Sequence, residues 1–356
     1  MIQRPALVSN AFTAFLLCLG AVGGVVASWL GFPMPYMLGS LAVSAIVVAL
    51  GEERFPASYL FPMRFRTFFI GVIGVMIGAQ VDPGLARQVS GMAVSFGVVV
   101  AFVVLAQAAN YQIFHRIGGY DRATAFFSGS PGGLIEAITF GEAAGGDVRV
   151  MTVLQFLRII AVVTILPIIM TIWHGSPVGS AAGLQLAGDP AGAADLVLIA
   201  GLTLVGLAGG HVLRLPAGQL TGPLVVAALL GGFGLVSLDL PGWLIAVAQV
   251  VLGVSLGLRF AGVSRALLLK AMGLSLLSVT AMLSLGGLGA LLAHQATGAS
   301  LEVLMISYAP GGVTEMGLIA LSLSVNPALV TLHHLFRITV TVLLLSLARR
   351  FGILRS

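Results

Sequence analysis

The chain has 356 residues, of which 58% are hydrophobic and 8% charged, with a mean hydropathy of +1.10. Soluble domains carry about 25% charged residues because their surfaces must be solvated, so twelve acidic and seventeen basic side chains cannot cover a water-soluble globule of this size. A cytosolic enzyme, a nucleic-acid-binding domain and a disulfide-rich secreted protein are thereby excluded, and the lipid bilayer is the solvent for most of the surface. The net charge of +5 does not alter this. The cations sit singly or in small groups between apolar runs, as membrane topology requires, whereas a nucleic-acid partner needs them clustered on one soluble face. Cys18 is the lone cysteine, so neither a disulfide nor a thiolate metal cluster is expected. The first apolar stretch, 12–30, is long enough to span and lacks a small-residue cleavage site, so it is expected to stay as a span.

In chain order, the first half offers five apolar spans at roughly 8–30, 34–50, 66–81, 88–114 and 150–173. The second half repeats them at roughly 193–213, 219–236, 243–258, 266–292 and 326–348. Before the last span of each half lies an interrupted segment, 121–145 and 300–324, with Pro-Gly-Gly at 131–133 and 310–312. Proline followed by two glycines breaks a helix, so each segment is either a discontinuous span or a re-entrant hairpin.

The correspondence between the halves is an internal repeat. Pro131, Gly132, Gly133, Glu136, Thr152, Arg158 and Ile159 align without gaps with Pro310, Gly311, Gly312, Glu315, Thr331, Arg337 and Ile338, at a constant offset. Gly74 and Gly78 match Gly253 and Gly257 at the same offset. The organisation expected is an N-terminal repeat (1–175), an extracytoplasmic Gly/Ala/Pro-rich linker (176–195) and a C-terminal repeat (196–356).

Charge decides between the two topologies. If the interrupted segments span, the cations outside the membrane divide nine against six. If they are re-entrant, fourteen cations from Arg4 to Arg355 share one side, Arg87 stands alone on the other, and Arg158 and Arg337 lie within spans. The fold class expected is therefore an all-α membrane protein of two inverted-topology repeats. Each has five transmembrane helices and one re-entrant helical hairpin, and both termini are cytoplasmic.

The duplicated Pro-Gly-Gly-x-x-Glu, followed at the same spacing in each half by an intramembrane arginine, resembles the AbrB-duplication family of bacterial membrane proteins over essentially the whole chain. That family has been labelled both ammonia monooxygenase and regulator, and it is distinct from the soluble DNA-binding regulators that share its name. By fold it is similar to inverted-repeat cation/proton antiporters and anion symporters. The resemblance implies a bacterial inner-membrane location, and fold analogy implies a homodimer.

Inverted repeats with broken helices near the midplane are the architecture of secondary transporters. At each break a second arm begins, and its free N–H groups and positive dipole end make an anion site. The substrate-binding candidates are Ser130, Pro131, Gly132, Gly133, Glu136 and Arg158, with Ala309, Pro310, Gly311, Gly312, Glu315 and Arg337 in the second repeat. An arginine so deep is expensive and pairs with a partner or lines a polar path, so Glu136–Arg158 and Glu315–Arg337 are expected to lie close together, as structural braces or as a site. Free guanidinium groups would grip a carboxylate with two-pronged geometry. Burial disfavours an ionised carboxyl, which makes Glu136 and Glu315, with His334 nearby, candidates for carrying a coupled H+ or ligating Na+. Ser128, Ser307, Tyr308 and Thr314 flank the breaks as ligand donors or as turn and capping groups. Asp147 and Asn326 are expected to cap the helices that follow them.

The histidines show no metal-ligand spacing, because adjacent His333 and His334 point about 100° apart on a helix, so neither an enzyme nor a metal or organic cofactor is expected. Two functions remain. One is a secondary transporter of a small, carboxylate-bearing solute coupled to H+ or Na+. The other is a membrane-embedded regulator that senses a ligand and affects gene expression indirectly.

Overall fold

The computed structural model describes residues 3–51, 53, 55–56, 59–81, 92–175, 192–236, 238, 240–323 and 325–350. Every element of secondary structure among them is helical. The first repeat supplies α1 (Gln3–Trp29), α2 (Pro35–Gly51), α3 (Met63–Gly78), α4 (Ala93–Gln112, prolonged by a π turn at Ile113–Ile117), α5 (Arg122–Ser128), α6 (Leu134–Ala143) and α7 (Val148–His174). The second supplies α8 (Ala193–Val212), α9 (Gly218–Gly232), α10 (Gly242–Gly257), α11 (Arg265–Thr297), α12 (Leu301–Tyr308), α13 (Val313–Ser322) and α14 (Pro327–Arg350). The starts of α3, α5, α6 and α7 recur at those of α10, α12, α13 and α14, at the offset that aligns the two Pro-Gly-Gly motifs.

Among the described residues seven helices are long and apolar enough to cross a membrane: Ser9–Trp29, Ala93–Ile117, Val148–His174, Ala193–Val212, Gly242–Phe260, Arg265–Thr297 and Pro327–Arg350. The other three expected spans, α2, α3 and α9, have 17, 16 and 15 residues, short of the ~20 that a straight 30 Å crossing takes. Most of the proposed linker, 176–191, and Arg87 lie outside the described residues.

The helices gather into two compact units, each drawing on both repeats: 1–81, 167–262 and 321–324 form one, and 82–166, 263–320 and 325–356 the other. The repeat boundary is thus a boundary of the sequence and not of packing. In the first unit α2 packs on α1 and α10, while α9 packs on α3 and α8. Glycine explains how these helices come so close. A Cβ on Gly74 or Gly78 of α3 would strike the backbone carbonyls of Leu220 or Leu224 in α9. A Cβ on Gly253 or Gly257 of α10 would strike those of Met37 or Leu41 in α2. The glycines matched between the repeats therefore make exchanged contacts, the first repeat onto the second and the second onto the first. Gly23 and Gly39 approach backbone to backbone between α1 and α2, as Gly206 and Gly222 do between α8 and α9, the close packing small residues allow in membranes.

The second unit holds both breaks and all but the last residues of the second interrupted segment. Its α4 packs on α5, α11 and α14, and α12 packs on α11 and α14. Phe127 of α5, Ala137 of α6, Met151 of α7 and Leu345 of α14 meet in one buried cluster.

Candidate functional site: two broken helices and the side chains that hold them

The sequence places both breaks correctly. α5 ends at Ser128 and α6 begins at Leu134; α12 ends at Tyr308 and α13 begins at Val313. With 7, 10, 8 and 10 residues at 1.5 Å rise, no arm exceeds about 15 Å, and α5 packs against α6. Asp121 caps α5 by accepting from the Thr124 N–H at 2.9 Å. Asp147 and Asn326 cap the helices after them as expected, accepting from the Val150 and Leu329 N–H groups at 3.0 Å each.

A buried arm that stops short leaves carbonyls without helical partners, and each must be satisfied. At the end of α5 four side chains do this. From α4, Gln107 Nε2 donates to Phe126 O at 2.7 Å and Asn110 Nδ2 to Gly129 O at 2.8 Å. From α7, Gln155 Nε2 donates to Phe127 O at 3.0 Å and Ser128 O at 3.1 Å, and Arg158 donates to Ser130 O. Ser130 Oγ, bonded also to Gln155, closes the turn onto Gly132 O at 3.0 Å. Ser130, Pro131, Gly132 and Gly133 are all buried.

The second repeat uses the same registers. His334 Nε2 donates to Ile306 O at 3.0 Å, the equivalent of Gln155 onto Phe127. Arg337 donates to Ala309 O, the equivalent of Arg158 onto Ser130, and also to Gly311 O at 2.6 Å. Both terminal nitrogens of Arg337 hold main-chain carbonyls and one of Arg158 does, so each guanidinium supports the end of an arm. The reason is electrostatic. A helix C-terminus carries partial negative charge, and a guanidinium placed against it is stabilised by about 0.3–2 kcal/mol, beyond hydrogen bonds of roughly 1.5–3 kcal/mol each.

The glutamates face the opposite dipole end. Glu136 and Glu315 are the third residues of α6 and α13, the position from which a carboxylate reaches back over the first turn of its own helix. A Cβ on Gly312 would overlap Glu315 Oε2, whereas one on Gly133 would lie 3.4 Å from Glu136 Oε2. Glu315 is 4% exposed and Glu136 is intermediate. Gly133 adopts φ +59°, a left-handed conformation that glycine takes readily.

Helix α14 joins the two breaks. It holds the second through His334 and Arg337, and its next turn supports the first: a Cβ on Gly132 would lie 3.2 Å from Thr341 Oγ1, and one on Gly133 3.0 Å from Val342 Cγ2. Arg158 is close enough to Arg337 for their charges to interact. Several buried polar atoms at the breaks lack a hydrogen-bond partner among the described residues, again in register: Ser128 Oγ and Ser307 Oγ, Arg158 Nε and Arg337 Nε, Gln155 Oε1 and His334 Nδ1. Because His334 donates through Nε2 to a carbonyl, Nδ1 is its acceptor.

Reading the sequence missed Gln107, Asn110 and Gln155; their signal was polar side chains within otherwise apolar helices. It also missed a buried chain at the start of the second break. Tyr308 Oη lies 2.7 Å from Ser95 Oγ, which lies 2.8 Å from His333 Nε2, while His333 Nδ1 bonds Leu329 O at 2.9 Å. Among the described residues no group of three or more His, Cys, Asp or Glu is arranged to hold a metal ion.

A family model described as "Transition state regulatory protein AbrB" matches residues 45–352. The chain belongs to the AbrB family. This AbrB-family chain is 25% identical over 329 residues to "Putative regulator AbrB" of Escherichia coli (strain K12), covering 84% of the chain and 92% of that relative. It is 22% identical over 352 residues to "Uncharacterized protein YhjN" of Bacillus subtilis (strain 168), covering 93% of the chain and 90% of that protein. The apolar helices make the chain a multi-pass, helical membrane protein.

Proposed function

We propose that this AbrB-family protein is a secondary-active transporter of a small, carboxylate-bearing solute, driven by H+ or Na+ and working by alternating access. The observation that carries the reading is the pair of broken helices in one compact unit, held in matching register by side chains of α7 and α14. A break at depth is tolerated where protein or a polar cavity satisfies it. Here protein satisfies the carbonyl ends, while buried donors at Arg158, Arg337, Ser128 and Ser307 are left over. On this reading the breaks are re-entrant hairpins of two inverted five-span repeats in the inner membrane, with cytoplasmic termini. The protein is a homodimer, is not an enzyme, and uses no cofactor beyond the coupling ion.

The test is uptake into proteoliposomes of a panel of labelled mono- and dicarboxylates and acidic amino acids, under imposed pH and Na+ gradients. Accumulation driven by one gradient, and lost in Arg158→Lys or Arg337→Lys protein that remains folded, supports transport. Folded protein that accumulates nothing, with no thermal shift from any member of the panel, overturns it. Tags in 176–195 accessible from outside and terminal tags accessible from inside support the topology; the reverse result removes it. The name of the Escherichia coli relative favours the second reading, a membrane-embedded regulator, for which ligand binding without uptake is the distinguishing result.

A further inference from the structure

We infer that Glu315 is a tethered competitor for the helix terminus at the second break, so that a solute carboxylate binds there only with the uptake of one proton by Glu315. The inference rests on the carboxylate-transporter reading above and assigns its coupling ion as H+.

The first turn of α13 has N–H groups with no partner within the helix, at the positive end of its dipole. The Glu315 carboxylate lies over that turn, with Oε2 in the space a Gly312 Cβ would fill, and the residue is 4% exposed. An anion therefore already occupies the place a ligand carboxylate would take, and two buried carboxylates cannot share it at tolerable cost. Neutralised by a proton, the Glu315 carboxyl no longer gains from the dipole and can yield the terminus. The charge there stays constant: one ligand carboxylate replaces one protein carboxylate, and the proton remains on Glu315.

The leftover groups beside this terminus are what a carboxylate needs. Arg337, 1% exposed, sits on the carbonyls of Ala309 and Gly311 with Nε–H unpartnered, and Ser307 Oγ, 0% exposed, is unpartnered just before α12 ends. Buried donors without acceptors are costly, and a carboxylate at this terminus supplies an acceptor for the Arg337 Nε–H. The charged and titratable groups gathered here are Arg337, His334 and His333 of α14 and Tyr308 of α12, with Arg158 within reach of Arg337's charge and His333 within reach of His334's. A Na+ beside Glu315 would meet the Arg337 charge and, behind it, that of Arg158, whereas a proton on the carboxyl adds no exposed charge. The first break differs. Glu136 is only partly buried, and the Gly133 Cβ position is an ordinary 3.4 Å from its carboxylate, so that break serves as the internal control.

The test uses the full chain in lipid nanodiscs with acetate as the probe, since acetate stays ionised from pH 6 to 8. Its affinity for the unmodified protein should fall about tenfold per pH unit, the linkage signature of one proton taken up on binding. Glu315→Gln should bind with no such slope, and tighter than the unmodified protein at pH 8. Glu136→Gln should keep the slope. Proton counting in the unmodified protein offers an independent route: acetate added at pH 8 in weak buffer should withdraw one proton from the medium per molecule bound. Should Glu315→Gln fail to fold, the proton count decides alone, and acetate bound without proton uptake overturns the inference. An unaltered slope in Glu315→Gln also overturns it while leaving the transporter reading intact. Folded protein that binds no acetate across this pH range, in any of these variants, removes the carboxylate reading and the inference together.

Discussion

The two breaks are copies of one device that have exchanged the sizes of their parts. In the first, Asn110 and Gln107 of α4 reach the carbonyls of a small residue, Gly129, and its neighbours; a Cβ on Gly129 would lie 2.9 Å from the Asn110 Cβ. At the matching positions of the second repeat, Gly286 and Gly289 stand for Gln107 and Asn110, and Tyr308 stands for Gly129. A Cβ on Gly286 would lie 3.1 Å from Tyr308 O, and one on Gly289 3.4 Å from the Tyr308 ring. Bulk has moved from the supporting helix to the broken segment, and with it the polar connection: Tyr308 now extends to Ser95 and, through it, to His333. A duplicated fold can thus keep its break geometry while concentrating titratable groups at one copy. His334 in place of Gln155, and a buried Glu315 against a half-buried Glu136, follow the same direction.

This asymmetry can be broken by unequal losses at equivalent positions. The largest is expected from the arginines. Arg337→Met removes two charge-assisted hydrogen bonds and should cost about 3–5 kcal/mol, against about 2–3 kcal/mol for Arg158→Met with its one bond to Ser130. Unfolding in mild detergent measures both, and equal losses would show that the second repeat leans no harder on its arginine. Next come the exchanged sizes. Gly289→Asn should cost about 1–3 kcal/mol by overpacking against Tyr308. Asn110→Gly should cost a similar ~1–3 kcal/mol by stranding Gly129 O and the Ser278 hydroxyl that donates to Asn110 Oδ1 at 2.7 Å. Recovery of stability in Gly289→Asn when Tyr308→Gly is added would establish the exchange.

Smaller effects sharpen the same contrast at the turns. Gly133→Ala imposes a left-handed φ on a residue with a side chain and should lose about 1–2 kcal/mol. Gly312→Ala, for which the three atoms nearest the new Cβ all belong to the Glu315 carboxylate, should stay within about 0.5 kcal/mol. Smallest are the caps: Asp121→Ala should cost about 1 kcal/mol, while Ser300→Ala, at the equivalent position without a side-chain cap bond, should change stability by less than about 0.5 kcal/mol. Thermal unfolding in one lipid composition ranks all four.

Much of this was legible from residue order. The constant offset between the repeats located both breaks closely, because Pro-Gly-Gly disrupts a helix wherever it stands. The depth of Arg158 and Arg337 marked them as needing partners. Which partners could not be read: the glutamate that opens a hairpin's second arm and a carbonyl that closes its first are equally available to a long side chain. Only the path of the arm brings Ser130 O and Ala309 O to the guanidinium groups. Gln107, Asn110 and Gln155 were passed over because single amides in apolar helices carry no local signature.

By itself, then, the sequence determined that this protein lives in a bilayer, that it is built twice, and where each copy is interrupted. These properties follow from composition, periodicity and local backbone chemistry, which act over a few residues at a time. Tertiary structure alone decided that α3 nests on α9 and α10 on α2 through bare glycine backbone, that each compact unit mixes both repeats, and that α14 serves both breaks. Those choices depend on which backbones can approach within a carbonyl's reach, and such approach is a property of pairs of helices far apart in the chain.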